Sequence, residues 1–172
     1  MGHRDLTYVI FDAGNDMWAY GYMKGWKVSE HVDFDFEDAH DLEPLTDRAE
    51  DETYIKGKLR ERFRAARQAV VLVGDGTKYL YKFVRWELQV ALELNLAIIA
   101  VNLNGLRKMD PDRCPAILRD EYVLHVPFRA AVIRYALDQF PAEHANNGAE
   151  RLPRSIRTES TALSGCRSGP LV

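Results

Sequence analysis

The chain has 172 residues, 47% of them hydrophobic, with a net charge of −3. That length fits one domain with a full core, and the mildly acidic balance argues against nucleic acid as a partner. No apolar run is long enough to span a membrane and no leader pattern is seen, so a cytoplasmic protein with no membrane partner is expected.

Leu6 to Phe11 reads as a first buried strand. Asp12 to Asp16 is a turn of small and acidic residues, and Asn15 or Asp16 is suited to cap the next helix. That helix, Met17 to Lys27, carries Trp18, Tyr20, Tyr22 and Trp26. Tyr20 and Tyr22 cannot both face the sheet, so at least one ring should lie near solvent or a ligand.

Val32 to Phe36 alternates apolar and polar residues, the pattern of a half-exposed edge strand. Glu37 to Glu52 is an acidic run interrupted by Pro44, which reads as a solvated loop, or else as a lid beside a site. Tyr54 to Gln68 is an amphipathic helix with Ile55, Leu59, Phe63 and Ala66 on one face.

Ala69 to Val73 is apolar and mostly β-branched, and it stops abruptly at Gly74, Asp75 and Gly76. From about Lys78 the periodicity becomes helical. On the helical wheel Leu80, Phe83, Val84, Val90, Ala91 and Leu94 all fall within about 60° of Glu87. Glu87 thus sits in the middle of the apolar face, while Glu93 falls off it. An ionised carboxylate among apolar side chains needs an internal partner or a cleft. An ion pair with an arginine, or the capping of a neighbouring loop, is the plain structural reading.

Ala97 to Leu103 is a strand buried on both faces. Asn104 and Gly105 turn the chain, and Asp110 to Arg119, with two prolines, is at most a short irregular helix. Tyr122 to Val126 is a last strand and Phe128 to Phe140 a last helix. Pro141 is expected to end a folded unit of residues 1–141. Residues 142–172 are small, polar and basic, and read as a disordered tail. The two cysteines, Cys114 and Cys166, form no metal-binding spacing, so no metal is expected.

Strand followed by helix, five times over, means an α/β fold with a doubly wound parallel five-stranded sheet. The flavodoxin-like order 2-1-3-4-5 is expected, with the switch point between the first and third strands. Asp12 to Asp16 and Gly74 to Thr77 then flank the crevice, and Glu87 is expected to point toward it.

These residues carry a resemblance. Tyr8 to Asp12 with Asn15 and Asp16, Phe34 to Asp38, Val70 to Gly74 with Thr77, and then Trp86 and Glu87 occur in the order and spacing of a known family. Over about residues 5–140 the chain resembles the TIR-like domains of bacterial anti-phage Thoeris systems, a flavodoxin-like variant of the TIR fold. The resemblance implies an enzyme that cleaves NAD⁺ at the nicotinamide–ribose bond, with NAD⁺ as substrate and no resident cofactor. It implies a cyclic ADP-ribose-like signal that switches on a partner effector, a phage-derived trigger and a homo-oligomer. It maps the catalytic glutamate to Glu87, with Trp86 before it. Asp12, Asn15 and Asp16 should then lie beside the substrate, Phe11 or Trp18 could stack on a base, and Gly74, Asp75 and Thr77 could approach a ribose or phosphate. Two other readings stay open: a non-catalytic nucleotide-binding or assembly module, and a nucleoside-transferring enzyme on the same fold.

Overall fold

The structure, a computed structural model, describes residues 6–31, 34, 36–38, 52–79 and 83–148. Five strands form a parallel sheet in the order β2-β1-β3-β4-β5. They are β1 (Leu6–Ile10), β2 (Glu37–Asp38), β3 (Gln68–Val73), β4 (Ala97–Asn102) and β5 (Leu124–Pro127). Every residue of β3 and β4 is buried. Unbroken apolar runs such as these suit strands covered on both faces.

The covering layers follow from strand alternation. Tyr8, Ile10, Val71 and Ile98 face α2 (Glu52–Phe63) and α3 (Phe83–Glu93), where Ile55, Leu59, Phe63, Val84 and Leu88 pack. Val9, Phe11, Leu72 and Ile99 face α1 (Met17–Val28) and α4 (Ala130–Gly148), where Met23, Ile133 and Leu137 pack. The helices after the neighbouring strands β1 and β3 therefore leave on opposite sides. That divergence opens a crevice at the carboxyl ends of those two strands.

The second strand differs from the sequence expectation. Phe34 and Phe36 are buried, as the alternation implies, but neither belongs to a strand. Trp26 meets Phe34 edge-on at 5.6 Å, and Lys27 Nζ donates to the Phe36 carbonyl at 2.5 Å. These contacts hold the segment against α1. Sheet pairing is made instead by Glu37 and Asp38, in register with Leu6 and Thr7. Val32, Asp33 and Asp35 lie outside the described residues, as does the acidic run over 39–51.

The last helix also departs from expectation. It runs through Pro141 to Gly148 rather than ending at Pro141. Proline removes one helical donor, but the turn beyond it is tied to the body of the domain. The Tyr122 hydroxyl donates to Glu143 Oε1 at 2.5 Å and accepts from Asn147 Nδ2 at 3.0 Å. His144 stacks on the Tyr122 ring with centroids 5.9 Å apart. Residues 149–172, with Cys166, lie outside the described residues. Among the described residues no helix is long and apolar enough to cross a membrane.

Candidate functional site

A cleft of about 570 Å³ opens at the carboxyl ends of the strands. Its described lining comes from three successive strand ends. Asn15, Asp16 and Trp18 follow β1, Gly74 to Gly76 and Tyr79 follow β3, and Leu103 and Arg113 follow β4.

The floor is tightly knit. Asp12 accepts from the Gly14 amide at 2.9 Å and from Asn15 Nδ2 at 2.6 Å, which closes the turn after β1 on itself. Asp16 stands at the start of α1, yet its carboxylate makes no cap hydrogen bond. It faces the β3 loop instead and accepts from Thr77 Oγ1 at 3.4 Å. Thr77 Oγ1 in turn accepts from the Gly74 amide at 2.8 Å. A side chain at Gly74 would collide with the Asp16 carboxylate, and one at Gly76 would come within 3.0 Å of Asp12 Oδ2. The glycines are thus required by close approach of the two loops. Burial raises the Asp16 pKa, the Asp12 charge adds to the effect, and the Thr77 hydroxyl opposes it.

Trp18 is about half exposed at the cleft wall, at 49%. Phe11, the other candidate for stacking, is buried against Tyr20 with centroids 4.7 Å apart and 20° between planes. It belongs to the core, so of these two rings Trp18 is the one available to a ligand, and Tyr79 presents a second exposed ring at the cleft. Tyr20 is buried and Tyr22 exposed, as the helix period requires.

Glu87 has a separate setting. It is half-buried on α3, and Tyr8 Oη donates to its Oε1 at 2.9 Å. Burial pushes the carboxyl up to about 7, while the Tyr8 hydrogen bond and then the Arg62 charge pull it down. Burial and the Glu87 charge raise the Tyr8 phenol, with Arg62 opposing. Glu93, by contrast, is partly exposed and bonds Arg60 at 2.6 Å. Trp86 is buried and meets Phe83 edge-on at 5.5 Å.

Asp12, Asn15, Asp16, Trp18, Gly74, Asp75 and Thr77 are therefore brought together around one cleft, whereas Glu87 and Trp86 are not among its described lining residues. Residues 80–82, which join the cleft to α3, lie outside the described residues. The sequence reading missed two groups. Tyr8 looked like one more strand residue, although a buried phenol needs a partner. Arg113 lay in an irregular stretch that offered no periodicity to place it.

Residues 8–108 match the family model described as Thoeris protein ThsB, TIR-like domain. The match covers more than half of the chain. The chain belongs to the ThsB TIR-like family. The matched span includes the turn after β1, the β3 loop and Glu87, and it stops short of Arg113. No individual curated protein matches the chain. The α/β architecture with its parallel sheet is that of a TIR-like, flavodoxin-like domain.

Proposed function

We propose that this ThsB-family chain is an NAD⁺-processing enzyme of bacterial anti-phage defence, with Glu87 as its catalytic carboxylate. The observation that carries the reading is the setting of Glu87: one carboxyl on α3, inside the span that matches the family, that accepts from the Tyr8 phenol at 2.9 Å and whose pKa burial pushes up to about 7. Perturbed carboxyls of this kind cluster at functional sites. The edge pairing of Glu37 and Asp38 is taken as the second strand of the flavodoxin-like order.

The chemistry needs only one such group. In NAD⁺ the nicotinamide is a cationic pyridinium, so the electron pair of the C1′–N bond leaves with it and the product is neutral. No acid has to protonate the leaving group, unlike the paired-carboxylate glycosidases. The ribose becomes an oxocarbenium-like cation. Ionised Glu87 would stabilise that charge, most effectively with water excluded. Capture by water gives ADP-ribose. Capture by a ribose hydroxyl, which loses its proton, or by a ring nitrogen of adenine, after which the cationic purine loses a proton from its amino group, gives a cyclic product. A cyclic product would serve as a diffusible signal to a partner effector in the cytoplasm, released when a phage component triggers the enzyme. A homo-oligomer is the expected working form.

One observation favours a second reading, a nucleotide-binding or assembly module. The Tyr8 hydrogen bond satisfies Glu87 internally, and the carboxylate does not line the described cleft. In that case Glu87 is a structural group and the cleft binds without turnover.

The test is to incubate the purified chain and Glu87→Gln with NAD⁺, with and without lysate of phage-infected cells. Nicotinamide and nucleotide products are followed by chromatography and mass spectrometry. Nicotinamide released by the wild type and not by the variant supports the enzyme, and the product mass separates cyclic from hydrolysed. Silence in the triggered wild type favours the module.

A further inference from the structure

The geometry points to Arg113 as the phosphate-reading residue of the cleft, held in reserve by an exchangeable ion pair with Asp75, so that the ligand is a nucleotide whose phosphate displaces that carboxylate. This rests on the cleft itself and adds a substrate-selecting residue to the reading above.

Arg113 is the sole cation among the described lining residues, in a cleft that otherwise offers the carboxylates of Asp16 and Asp75. Among the described lining residues this guanidinium is what offsets those two carboxylates for an anionic ligand. Arg113 reaches it from a loop built to present it. Buried Asp110 accepts from the backbone amides of Asp112 at 2.8 Å and Arg113 at 3.1 Å. Asn104 Nδ2 donates to Asp110 Oδ2 at 2.7 Å. Buried Asn102, at the end of β4, binds the carbonyls of Leu106 and Lys108, each at 2.9 Å. Although burial acts the other way, the amide of Asp112 and then the Asn104 side chain keep the Asp110 pKa low, so it stays an anion. The loop is thus fixed by its own side chains, and its position leaves the guanidinium at the cleft.

The two partners of that guanidinium differ. Asp110 Oδ2 lies 3.9 Å from Nε and is committed to the loop. Asp75 Oδ1 lies 2.5 Å from Nη2, but the Asp75 side chain is 84% exposed. An exposed carboxylate returns to water at little cost, since such ion pairs are worth little. A phosphate offers the guanidinium a bidentate acceptor and the same charge. Displacement of Asp75 is therefore a near-even exchange of one anion for a better-shaped one. Trp18 on the opposite loop supplies a face for a base, and buried Asp16 supplies an acceptor for sugar hydroxyls. The cleft volume suits a ligand of nucleotide size.

The probe is ADP-ribose, with adenosine as the phosphate-free control. Binding to the full chain is measured by calorimetry for the wild type, Arg113→Gln, Arg113→Lys and Asp75→Asn, at low and moderate salt. Arg113→Gln should weaken ADP-ribose binding about tenfold or more and leave adenosine binding unchanged. Arg113→Lys should recover part of the loss. Asp75→Asn should tighten ADP-ribose binding several-fold, because the competing anion is gone. The proposal is overturned if Arg113→Gln binds ADP-ribose like the wild type, if Asp75→Asn weakens binding alongside it, or if the wild type does not bind ADP-ribose. Nicotinamide release from NAD⁺ is assayed for the same variants with lysate of phage-infected cells added. Turnover that ignores Arg113 sinks this inference and leaves the enzyme standing. Arg113-dependent binding without turnover does the reverse.

Discussion

Tyr8 Oη donates to Glu87 Oε1 at 2.9 Å, tying β1 to α3 across 79 positions of sequence. The hydrogen bond favours the ionised carboxylate, against the burial that raises its pKa. Tyr8→Phe keeps the ring, which packs on Phe63 at 4.1 Å, and removes the donor. The Glu87 pKa should then rise above its present value of about 7. In the enzyme reading, the alkaline-going rise of NAD⁺ turnover moves to higher pH, while the high-pH plateau changes less. Carboxyl carbon shifts of labelled glutamate, followed through a pH titration, check the same point without turnover. The fold should lose about 1 kcal/mol, the usual worth of one such bond, read by urea denaturation.

Glu87 also makes stability depend on pH, and the sign is fixed. Its folded pKa of about 7 lies above the ordinary 4.5, so the folded state binds the proton more tightly than the unfolded chain. The stability this contributes is full below 4.5 and is lost as pH rises through 7. Glu87→Gln has no proton to lose and should therefore be flatter between pH 5 and pH 8. The Glu87 residue as a whole is only half-buried, so the full shift is not realised as stability. At pH 8 we expect the variant to be more stable than the wild type by about 1 kcal/mol. Thermal melts of both proteins at pH 5 and pH 8 test this. A variant less stable than the wild type at pH 8 would mean that ionised Glu87 is well paired in the fold.

The layered fold was legible because its signals are local and strong. The runs at β3 and β4 could hardly be anything but buried strands, and the wheel isolated Glu87 because one charge interrupts an apolar face. Where the reading failed, long-range contacts decided. Phe34 and Phe36 were correctly seen as sharing an inward side, but the choice between pairing with β1 and packing on α1 belongs to Trp26 and Lys27. Pro141 is a genuine helix-breaking signal, overruled by Tyr122 from the loop before β5. The gathering of Asp12, Asp16 and Thr77 was visible from topology alone. That Glu87 is not among the described lining residues of that cleft was not legible, since a helical wheel gives a direction around the helix and not a depth along it.

The two loops of the cleft approach so closely that Gly74 has no room for a side chain. A methyl there would meet both carboxylate oxygens of Asp16, and Asp16 is itself buried. Gly74→Ala should cost about 2 kcal/mol, in the range for overpacking a filled site. Gly21 is the contrast: it is exposed on α1, and nothing lies within 4 Å of an added methyl. Gly21→Ala should stabilise by about 0.5–1 kcal/mol, because alanine loses less backbone freedom in a helix. Equilibrium denaturation of the two variants should therefore give shifts of opposite sign. Equal shifts would mean that the loops are looser than their contacts imply.

Tyr122 anchors the end of α4 from outside the helix. Its hydroxyl donates to Glu143 and accepts from Asn147, and both contacts fall beyond Pro141, where the helix has lost a backbone donor. Tyr122→Phe removes both contacts and keeps the ring that stacks on His144 and packs against Phe140 at 5.5 Å. The loss should be local, because Ile133, Leu137 and Phe140 still bury the first part of the helix. Hydrogen exchange followed by mass spectrometry should show the 142–148 amides opening faster, by about fivefold for a loss near 1 kcal/mol. Amides of β3 and β4 should keep their wild-type protection. Unchanged exchange over 142–148 would mean that the helix end is held by ring packing alone.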